Sequence, residues 1–381
     1  MSSKWHALAC LLISAPILLA GDEQPELDNL MKTASANYMK GDYDAARQSY
    51  EQAWKLIEAA PANSPVRYDI LKRLAAVRTA AGQFAEADSY LQQAINWREL
   101  NFGVDDPVSL NDLLEVSSLC RATHDYNRAL AILERVRDAH VRAGGYETAV
   151  VAADLSRIAQ IHLDLSKPEN AASVLTTALE INAKVYGQDH PALLQDLDRL
   201  GEVLITLRQY DKAEEVYRRD LVIRERVFGK DNANLITTVD GLAYAYFGEK
   251  KYEQAEPQYQ RLVSLWANSA GNDHPMVALA LDKMTVFYRD QKKSEEARNA
   301  ADRAIAIRAH FLATGLAQQA LQRISDGTKD EGELLYRRAL AVLDPPHPVF
   351  EELRNQIQNN VKEIEASRPK PRRKKSSPSK K

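Results

Sequence analysis

The sequence predicts an all-α protein, a solenoid of stacked helical hairpins. One short phrase recurs at a fixed spacing: NFGVDDPVSL (101–110), VYGQDHPALL (185–194), VFGKDNANLI (227–236) and SAGNDHPMV (269–277). The glycines of this phrase are 42 residues apart, or twice that distance. Because repetition at a period of roughly 20–50 residues is typical of stacked structural units, we expect one repeated unit over most of the chain.

Each period contains two amphipathic helices, A and B. Helix B opens with an aromatic residue and has an alanine three residues later, as Tyr210 and Ala213 show. The alanines are spaced by 41 residues once and by 42 thereafter, at Ala46, Ala87, Ala129, Ala171, Ala213, Ala255 and Ala297. One face of each helix pair stays apolar and unburied within its own repeat, so neighbouring repeats must stack to cover it.

The recurring phrase is the predicted joint between repeats. Gly187 is expected to take the left-handed conformation that ends a helix. Asp189 then supplies a cap for the next helix, and Pro191 lies in its first turn, where a missing N–H costs little. Because the neighbouring Asp189 and His190 belong to this capping segment, we assign them no catalytic or metal-binding role.

The first residues form a different kind of segment. Lys4 precedes an apolar run from Ala7 to Ala20, which predicts a signal peptide cleaved after Ala20 or Gly21. The protein is therefore expected to be exported, periplasmic or secreted, and to be membrane-anchored if the signal is not cleaved. Removal of the signal leaves Cys120 as the sole cysteine, which excludes an internal disulfide and a cysteine-type metal site.

The last fifteen residues, SRPKPRRKKSSPSKK, carry eight Lys or Arg and no acidic residue. The net charge of the whole chain is −3, which leaves −11 for residues 1–366. Such a tail is predicted to be disordered. Either it binds an anionic polymer or a membrane surface through Arg372, Arg373, Lys374 and Lys375, or it only keeps the chain soluble. Specific nucleic-acid recognition is not expected of an exported protein.

These features define five predicted regions. They are a signal peptide (1–20), an N-terminal repeat (21–65), the 42-residue repeats (66–312), a shorter repeat with a capping helix (313–366) and the basic tail (367–381).

The repeats resemble the tetratricopeptide repeats of the kinesin light chain family. The resemblance covers about residues 66–312 and is strongest from 186 to 278, where G-x-D-H-P, Y-x-x-A-E and the 42-residue period coincide. It implies a right-handed superhelical solenoid in which helices A line a concave, peptide-binding groove. It therefore implies a scaffold for protein–protein interaction that is not an enzyme.

The candidate binding residues follow from this resemblance. Asp198, Asp240 and Asp282 are 42 residues apart, at the helix A position that would face the groove, and Glu202 and Tyr244 lie one turn further on. One interpretation is a solvated face, or caps for neighbouring helices. The other is a groove that prefers a basic or amine-bearing partner segment. We find no nucleotide loop, G-x-S-x-G or H-E-x-x-H, so no cofactor, metal or catalytic residue is predicted.

Overall fold

The computed structural model describes residues 23–58, 60–344 and 350–367. Within these ranges the chain forms sixteen α-helices and no β-strand, which confirms the all-α prediction. The helices belong to two compact units, residues 1–188 and residues 189–381.

The first unit contains four helix pairs, and consecutive helices pack against each other. Close packing is possible because the alanines of the helices B, including Ala87, Ala129 and Ala171, are fully buried and add little bulk where helices meet. The helices are α1 (Glu23–Met39), α2 (Tyr43–Leu56), α3 (Pro65–Ala80), α4 (Phe84–Phe102), α5 (Pro107–Ala122), α6 (Tyr126–Gly144), α7 (Ala149–Asp164) and α8 (Pro168–Tyr186).

The second unit is built in the same way from four further pairs. One 3₁₀ turn, Pro191–Leu193, comes directly before the first helix of this unit, and another, Ala233–Leu235, comes directly before the third helix. The helices are α9 (Leu194–Thr206), α10 (Tyr210–Phe228), α11 (Ile236–Gly248), α12 (Tyr252–Ala270), α13 (Pro275–Asp290), α14 (Ser294–Ser325), α15 (Lys329–Val342) and α16 (Glu351–Ala366). The helices B from α4 to α14 begin at 42-residue intervals, so the predicted period is confirmed.

The joint glycines end each helix B in a conformation that differs from the predicted one. Gly187 has φ 101° and ψ 155°, and Gly229 has φ 87° and ψ 161°. The prediction of a left-handed helical conformation was therefore wrong, because these angles fall in a mirror-image extended region that is essentially restricted to glycine. The chain leaves helix B extended, which carries it across to the next helix A.

The turn that joins helix A to helix B within a pair has a backbone conformation that the sequence did not reveal. One residue of this turn has a left-handed φ, between 55° and 62°, although it is not a glycine. It recurs every 42 residues, as His124, Ser166, Arg208, Lys250 and Lys292. The first two pairs place a glycine there, Gly41 and Gly82.

Helix α14 departs from the repeat because it is 32 residues long. The predicted boundary between residues 312 and 313 lies inside this helix, so the shorter repeat shares a helix with the last 42-residue repeat. The reason is a missing joint. Ala313 occupies the position 42 residues after Gly271, and the residues two and four positions after Gly315 are Ala317 and Gln319, where the joints at Gly103, Gly187 and Gly271 have Asp and Pro. Nothing there stops the helix.

Candidate functional site

The joint residue that caps the next helix is His190. Its Nδ1 accepts a hydrogen bond from the backbone N–H of Ala192 at 3.1 Å. In the following joints, Asn232 and His274 accept an equivalent bond at 2.9 and 3.2 Å. The cap therefore comes from the residue after the aspartate, which corrects its assignment to Asp189. A neutral imidazole and an amide are both hydrogen-bond acceptors, which explains how they replace each other here.

Asp189 instead joins two repeats. Its carboxylate lies 3.7 Å from the guanidinium of Arg226, near the end of the next helix B. Equivalent pairs, 37 residues apart, are Asp105–Arg142, Glu147–Lys184, Asp189–Arg226 and Asp273–His310. In the described part of the chain, no group of three or more His, Cys, Asp or Glu could hold a metal ion. Asp189 and His190 thus have structural contacts that account for both.

Two other residues with reactive side chains are packed in the first unit. Cys120 is 3% exposed, and burial raises the pKa of its thiol, so the reactive thiolate is disfavoured. His162, at the equivalent helix A position, is half-buried, and burial lowers its pKa. Both environments favour an uncharged, packed side chain.

The three aspartates predicted as a ladder lie on consecutive helices A of the second unit, α9, α11 and α13. Their side chains are 28%, 32% and 43% exposed. Each carboxylate contacts a cation of the same unit, in the pairs Asp198–Arg224, Asp240–Lys283 and Asp282–Arg308. The ladder is therefore a row of ion pairs, and its attraction for a further positive charge is correspondingly reduced.

A second row of side chains lies one helical turn further along the same helices. It consists of Glu202, Tyr244 and Val286, again at 42-residue intervals. Tyr244 is 44% exposed and Val286 is 55% exposed. Glu202 is also exposed, and among the described residues it takes part in no salt bridge. Its pKa is raised by partial burial and then by the charge of Asp198.

We call the surface that combines the two rows the ladder face. Its residues are Asp198, Glu202, Asp240, Tyr244, Asp282 and Val286. All five residues predicted as a binding site belong to it, and Val286 is added by the structure.

The Tyr244 ring is held in place by its neighbours. Its centroid lies 6.2 Å from that of Tyr210 and 6.4 Å from that of Phe247, both with edge-on geometry. Such aromatic pairs contribute beyond their buried area. An exposed aromatic ring is thus presented in a fixed orientation.

Tyr217 fills the space between α9 and α11, a role that the sequence pattern did not reveal. Its side chain is 2% exposed. A Cβ at Gly201 would lie 2.5 Å from the ring, and one at Gly241 would lie 2.3 Å from it, so only glycine fits at either position. Burial and the charges of Glu202 and Asp198 raise the pKa of the phenol. Two glycines inside helices A were the available signal.

Arg224 connects the ladder face to the interior, which the sequence also did not reveal. Besides contacting Asp198, its Nε donates to Asp220 at 2.9 Å and its Nη1 donates to the carbonyl of Asn234 at 3.0 Å. Asp220 is 0% exposed and also accepts a hydrogen bond from the Thr238 hydroxyl. Burial is the largest cause that raises the pKa of Asp220, to about 6.

Two predicted features lie outside the described residues. They are the apolar segment 1–20 and the basic tail residues Arg372, Arg373, Lys374 and Lys375. None of the helices in the described ranges has the length and apolar character needed to cross a membrane.

Comparisons with known proteins bear on the repeats. A tetratricopeptide repeat profile matches residues 67–140, 151–226, 197–264 and 234–310, and a second such profile matches residues 28–56. No curated protein matches the chain.

Solved structures of repeat proteins are also similar. The repeats of a putative kinesin light chain from Podospora anserina are 20% identical, with 54% of this chain and 98% of that chain covered and a TM-score of 0.45. A tetratricopeptide repeat protein from Parabacteroides merdae is 14% identical, with 78% and 99% covered and a TM-score of 0.45. The C-terminal part of another, from Cytophaga hutchinsonii, is 13% identical, with 73% and 95% covered and a TM-score of 0.53. At 13% identity, the likeness to the Cytophaga hutchinsonii structure concerns the fold alone.

Proposed function

The chain belongs to the tetratricopeptide repeat family, and from that premise we propose that it is a non-enzymatic scaffold that holds a segment of a partner protein on the ladder face. Its 42-residue repeats are of the kinesin light chain type, as predicted from the sequence. Solenoids of this class present extended surfaces that bind other proteins. The observation that carries the proposal is the exposed row Glu202, Tyr244 and Val286.

Tyr244 is the proposed anchor of the interaction. Its ring is 44% exposed, yet Tyr210 and Phe247 fix its orientation. Exposed aromatic residues that are already ordered lose little conformational freedom on binding, and tyrosine is enriched among the residues that dominate interface energies. Removal of this ring should therefore weaken partner binding more than removal of its neighbours.

The row also limits the chemistry of the partner. Glu202 offers an exposed carboxylate, whereas Asp198, Asp240 and Asp282 already have cations of their own. A partner segment with one basic residue opposite Glu202 and apolar residues opposite Tyr244 and Val286 matches this surface. We therefore expect a partner segment that is basic at one end and apolar at the other, rather than basic throughout.

The spacing of the row limits the length of the segment. Helices α9 and α11 contact each other, and packed helices lie about 8–10 Å apart, so residues of the row are separated by about that distance. An extended chain rises about 3.1–3.4 Å per residue and covers this distance in about three residues. We therefore expect a basic residue followed by apolar residues about three and six positions later.

Selection from a random peptide library tests this proposal. Residues 21–381 serve as bait, and isothermal titration gives the Kd of each selected peptide. Tyr244→Ala should raise that Kd about tenfold, the size of a moderate interface hot spot, and Glu202→Gln should raise it by a smaller factor. Tyr146→Ala is the matched control, because Tyr146 is 48% exposed in the first unit. Equal binding by wild type and Tyr244→Ala would contradict the proposal.

Deletion of residues 367–381 separates this function from the alternative. Peptide binding at the ladder face should survive the deletion. Binding to anionic polymer or to anionic vesicles through Arg372 to Lys375 should be lost, because it needs the basic side chains. Loss of peptide binding on deletion would assign the interaction to the tail.

We further propose that the chain is exported, on the basis of the segment 1–20. The mass of the protein recovered from the producing cell gives the test. Cleavage should leave a chain that starts at Gly21 or Asp22. A mature protein that retains Met1 to Ala20 in the cytosol would contradict export.

A further inference from the structure

Asp220 occupies a position that is apolar in the other 42-residue repeats. It lies on α10 and is 0% exposed. The equivalent residues of the neighbouring helices B are all buried as well, and they are Ala94, Val136, Ala178, Leu262 and Ala304. Burial of a carboxylate costs free energy that an apolar residue would not, so the fold alone does not account for this residue.

The charged groups around Asp220 come from three helices. On α10 itself, Arg224 donates to Oδ2 at 2.9 Å. From α9, Asp198 adds a second negative charge that acts on Asp220. From α11, the Thr238 hydroxyl donates to the same Oδ2, and Asp240 acts together with Asp220 on the Tyr217 phenol.

The 3₁₀ turns packed against α10 contain no titratable side chain, since their sequences are PAL and ANL. The second carboxylate oxygen of Asp220, Oδ1, is buried and has no hydrogen-bond partner among the described residues. One guanidinium therefore serves two carboxylates, Asp198 and Asp220, and the three groups together carry a charge of −1. A proton on Asp220 would make this cluster neutral.

We infer that Asp220 is a proton-binding switch that, through the shared Arg224, changes the ion pairing and the charge of the ladder face at mildly acidic pH. When Asp220 is ionised, Arg224 divides its ionic hydrogen bonds between Asp220 and Asp198. When Asp220 is protonated, Asp198 becomes the sole anionic partner of Arg224. The consequence for partner binding rests on the proposed function, because a neutral cluster attracts a basic residue near Glu202 less strongly.

A buried carboxylate of the first unit, Asp154, has a different arrangement of partners. Asp154 is also 0% exposed, and it contacts two basic side chains, His140 at 2.6 Å and Arg157 at 3.0 Å. Neither of these side chains contacts a second carboxylate in the described residues. Asp220 has one cation, which it shares with a residue of the ladder face. Burial, the largest cause, raises the pKa of Asp220 to about 6, within reach of mild acidification.

Carboxyl NMR titration of the full chain between about pH 8 and pH 4.5 tests the switch without any ligand. The Asp220 carboxyl should titrate near pH 6, and the Asp198 resonance should shift with the same midpoint. Asp220→Asn should abolish the step in Asp198. Asp211→Asn, which removes an exposed acid of the same helix, should leave it unchanged. Titration of Asp220 near pH 4, or an Asp198 resonance that does not respond, would overturn the inference.

The peptide selected on the ladder face tests the regulatory step. Its Kd for wild type should rise about threefold or more between pH 7.5 and pH 5.5, as one nearby charge is lost. Asp220→Asn should show the raised Kd already at pH 7.5. Wild-type affinity of Asp220→Asn at that pH would overturn the regulatory step. If no peptide binds to any variant, the proposed function fails, while the NMR titration still decides whether Asp220 is the switch.

Discussion

The two units differ most clearly at the ladder position of their helices A. In the first unit this position holds Lys72, Leu114 and Ser156, and in the second it holds Asp198, Asp240 and Asp282. Helices of the same kind form in both units, so the repeat does not require a carboxylate there. The second unit supplies a cation for each of its three aspartates. The ladder is therefore a surface property that the second unit adds to a common scaffold.

The units also differ in how they fill the space between helices. In the first unit, Leu133 on helix B is combined with Ser117 on helix A of the same pair, and in the second, Tyr217 is combined with Gly201. A larger residue on one helix is thus matched by a smaller one on its neighbour, which conserves the volume of the core. Gly201 and Gly241, which flank the Tyr217 ring, are therefore packing residues.

The largest expected effect comes from filling the space that Tyr217 occupies. Gly241→Ala places a Cβ 2.3 Å from the ring, which Gly201 confines on its other side. We expect the free energy of unfolding to fall by about 3 kcal/mol, the upper part of the range for overpacking. Gly315→Ala is the matched control, since nothing lies within 4 Å of its Cβ position, and it should add about 0.5–1 kcal/mol. Urea unfolding measures both, and equal effects would refute this packing.

A smaller effect is expected from Asp220→Leu, which introduces the residue found at the equivalent position 262. The folded pKa of about 6 lies above the unfolded value of about 3.9, so the folded protein binds the proton more tightly. The stabilisation of the folded protein by proton binding at Asp220 is therefore complete below about pH 4 and is lost as the pH rises through about 6. Above pH 7 the leucine variant should be about 1–2 kcal/mol more stable than wild type. This difference should shrink at pH 4.5, and a difference that does not depend on pH would refute it.

The caps should contribute about 1 kcal/mol each. His190→Ala removes the acceptor for the Ala192 N–H and should lower the free energy of unfolding by about that amount. His190→Asn should retain most of it, because Asn232 caps the next repeat in the same way. Thermal unfolding compares the two variants. A loss as large with asparagine as with alanine would show that the cap is not what His190 contributes.

The smallest effect on stability is expected at the ladder itself. Asp240→Asn breaks the ion pair with Lys283. The side chain of Asp240 is 32% exposed and that of Lys283 is 39% exposed. Such pairs contribute about 0.5 kcal/mol or less. Denaturant unfolding at low and high salt measures the change. If the free energy of unfolding falls by more than about 1 kcal/mol, the ladder aspartates stabilise the fold. That result would contradict their interpretation as a surface property of the second unit.

The parts of the fold that depend on residues close together in sequence were predictable. The 42-residue period, the helix pairs, the buried alanines and the proline at the start of helix A all follow from local patterns. The unusual glycine conformation and the left-handed residues such as Lys250 were missed, because they depend on the path of the chain between packed helices. The continuity of α14 was missed because the predicted boundary was placed where the 42-residue period ends, although no joint sequence stops the helix there.

The site was predicted less completely. The five candidate residues do lie on one set of helices, but the cations that pair with the three aspartates come from other helices, 26 or 43 residues away in sequence. Such ion pairs form because side chains on packed helices lie within reach of each other, whatever their separation in sequence. One signal was present, because Arg224 and Arg308 are separated by 84 residues, as are Asp198 and Asp282. A search for cations with the period of the ladder would have found them.

Photo-crosslinking tests the central claim, that the second unit holds the partner on its ladder face. Tyr244 is replaced by p-benzoylphenylalanine in one variant, and Ser118, the exposed residue at the equivalent position of the first unit, is replaced in another. Both variants are irradiated with the selected peptide, and mass spectrometry identifies the adducts. We expect a peptide adduct from position 244 and none from position 118. Adducts from position 118 alone, or equally from both positions, would contradict it.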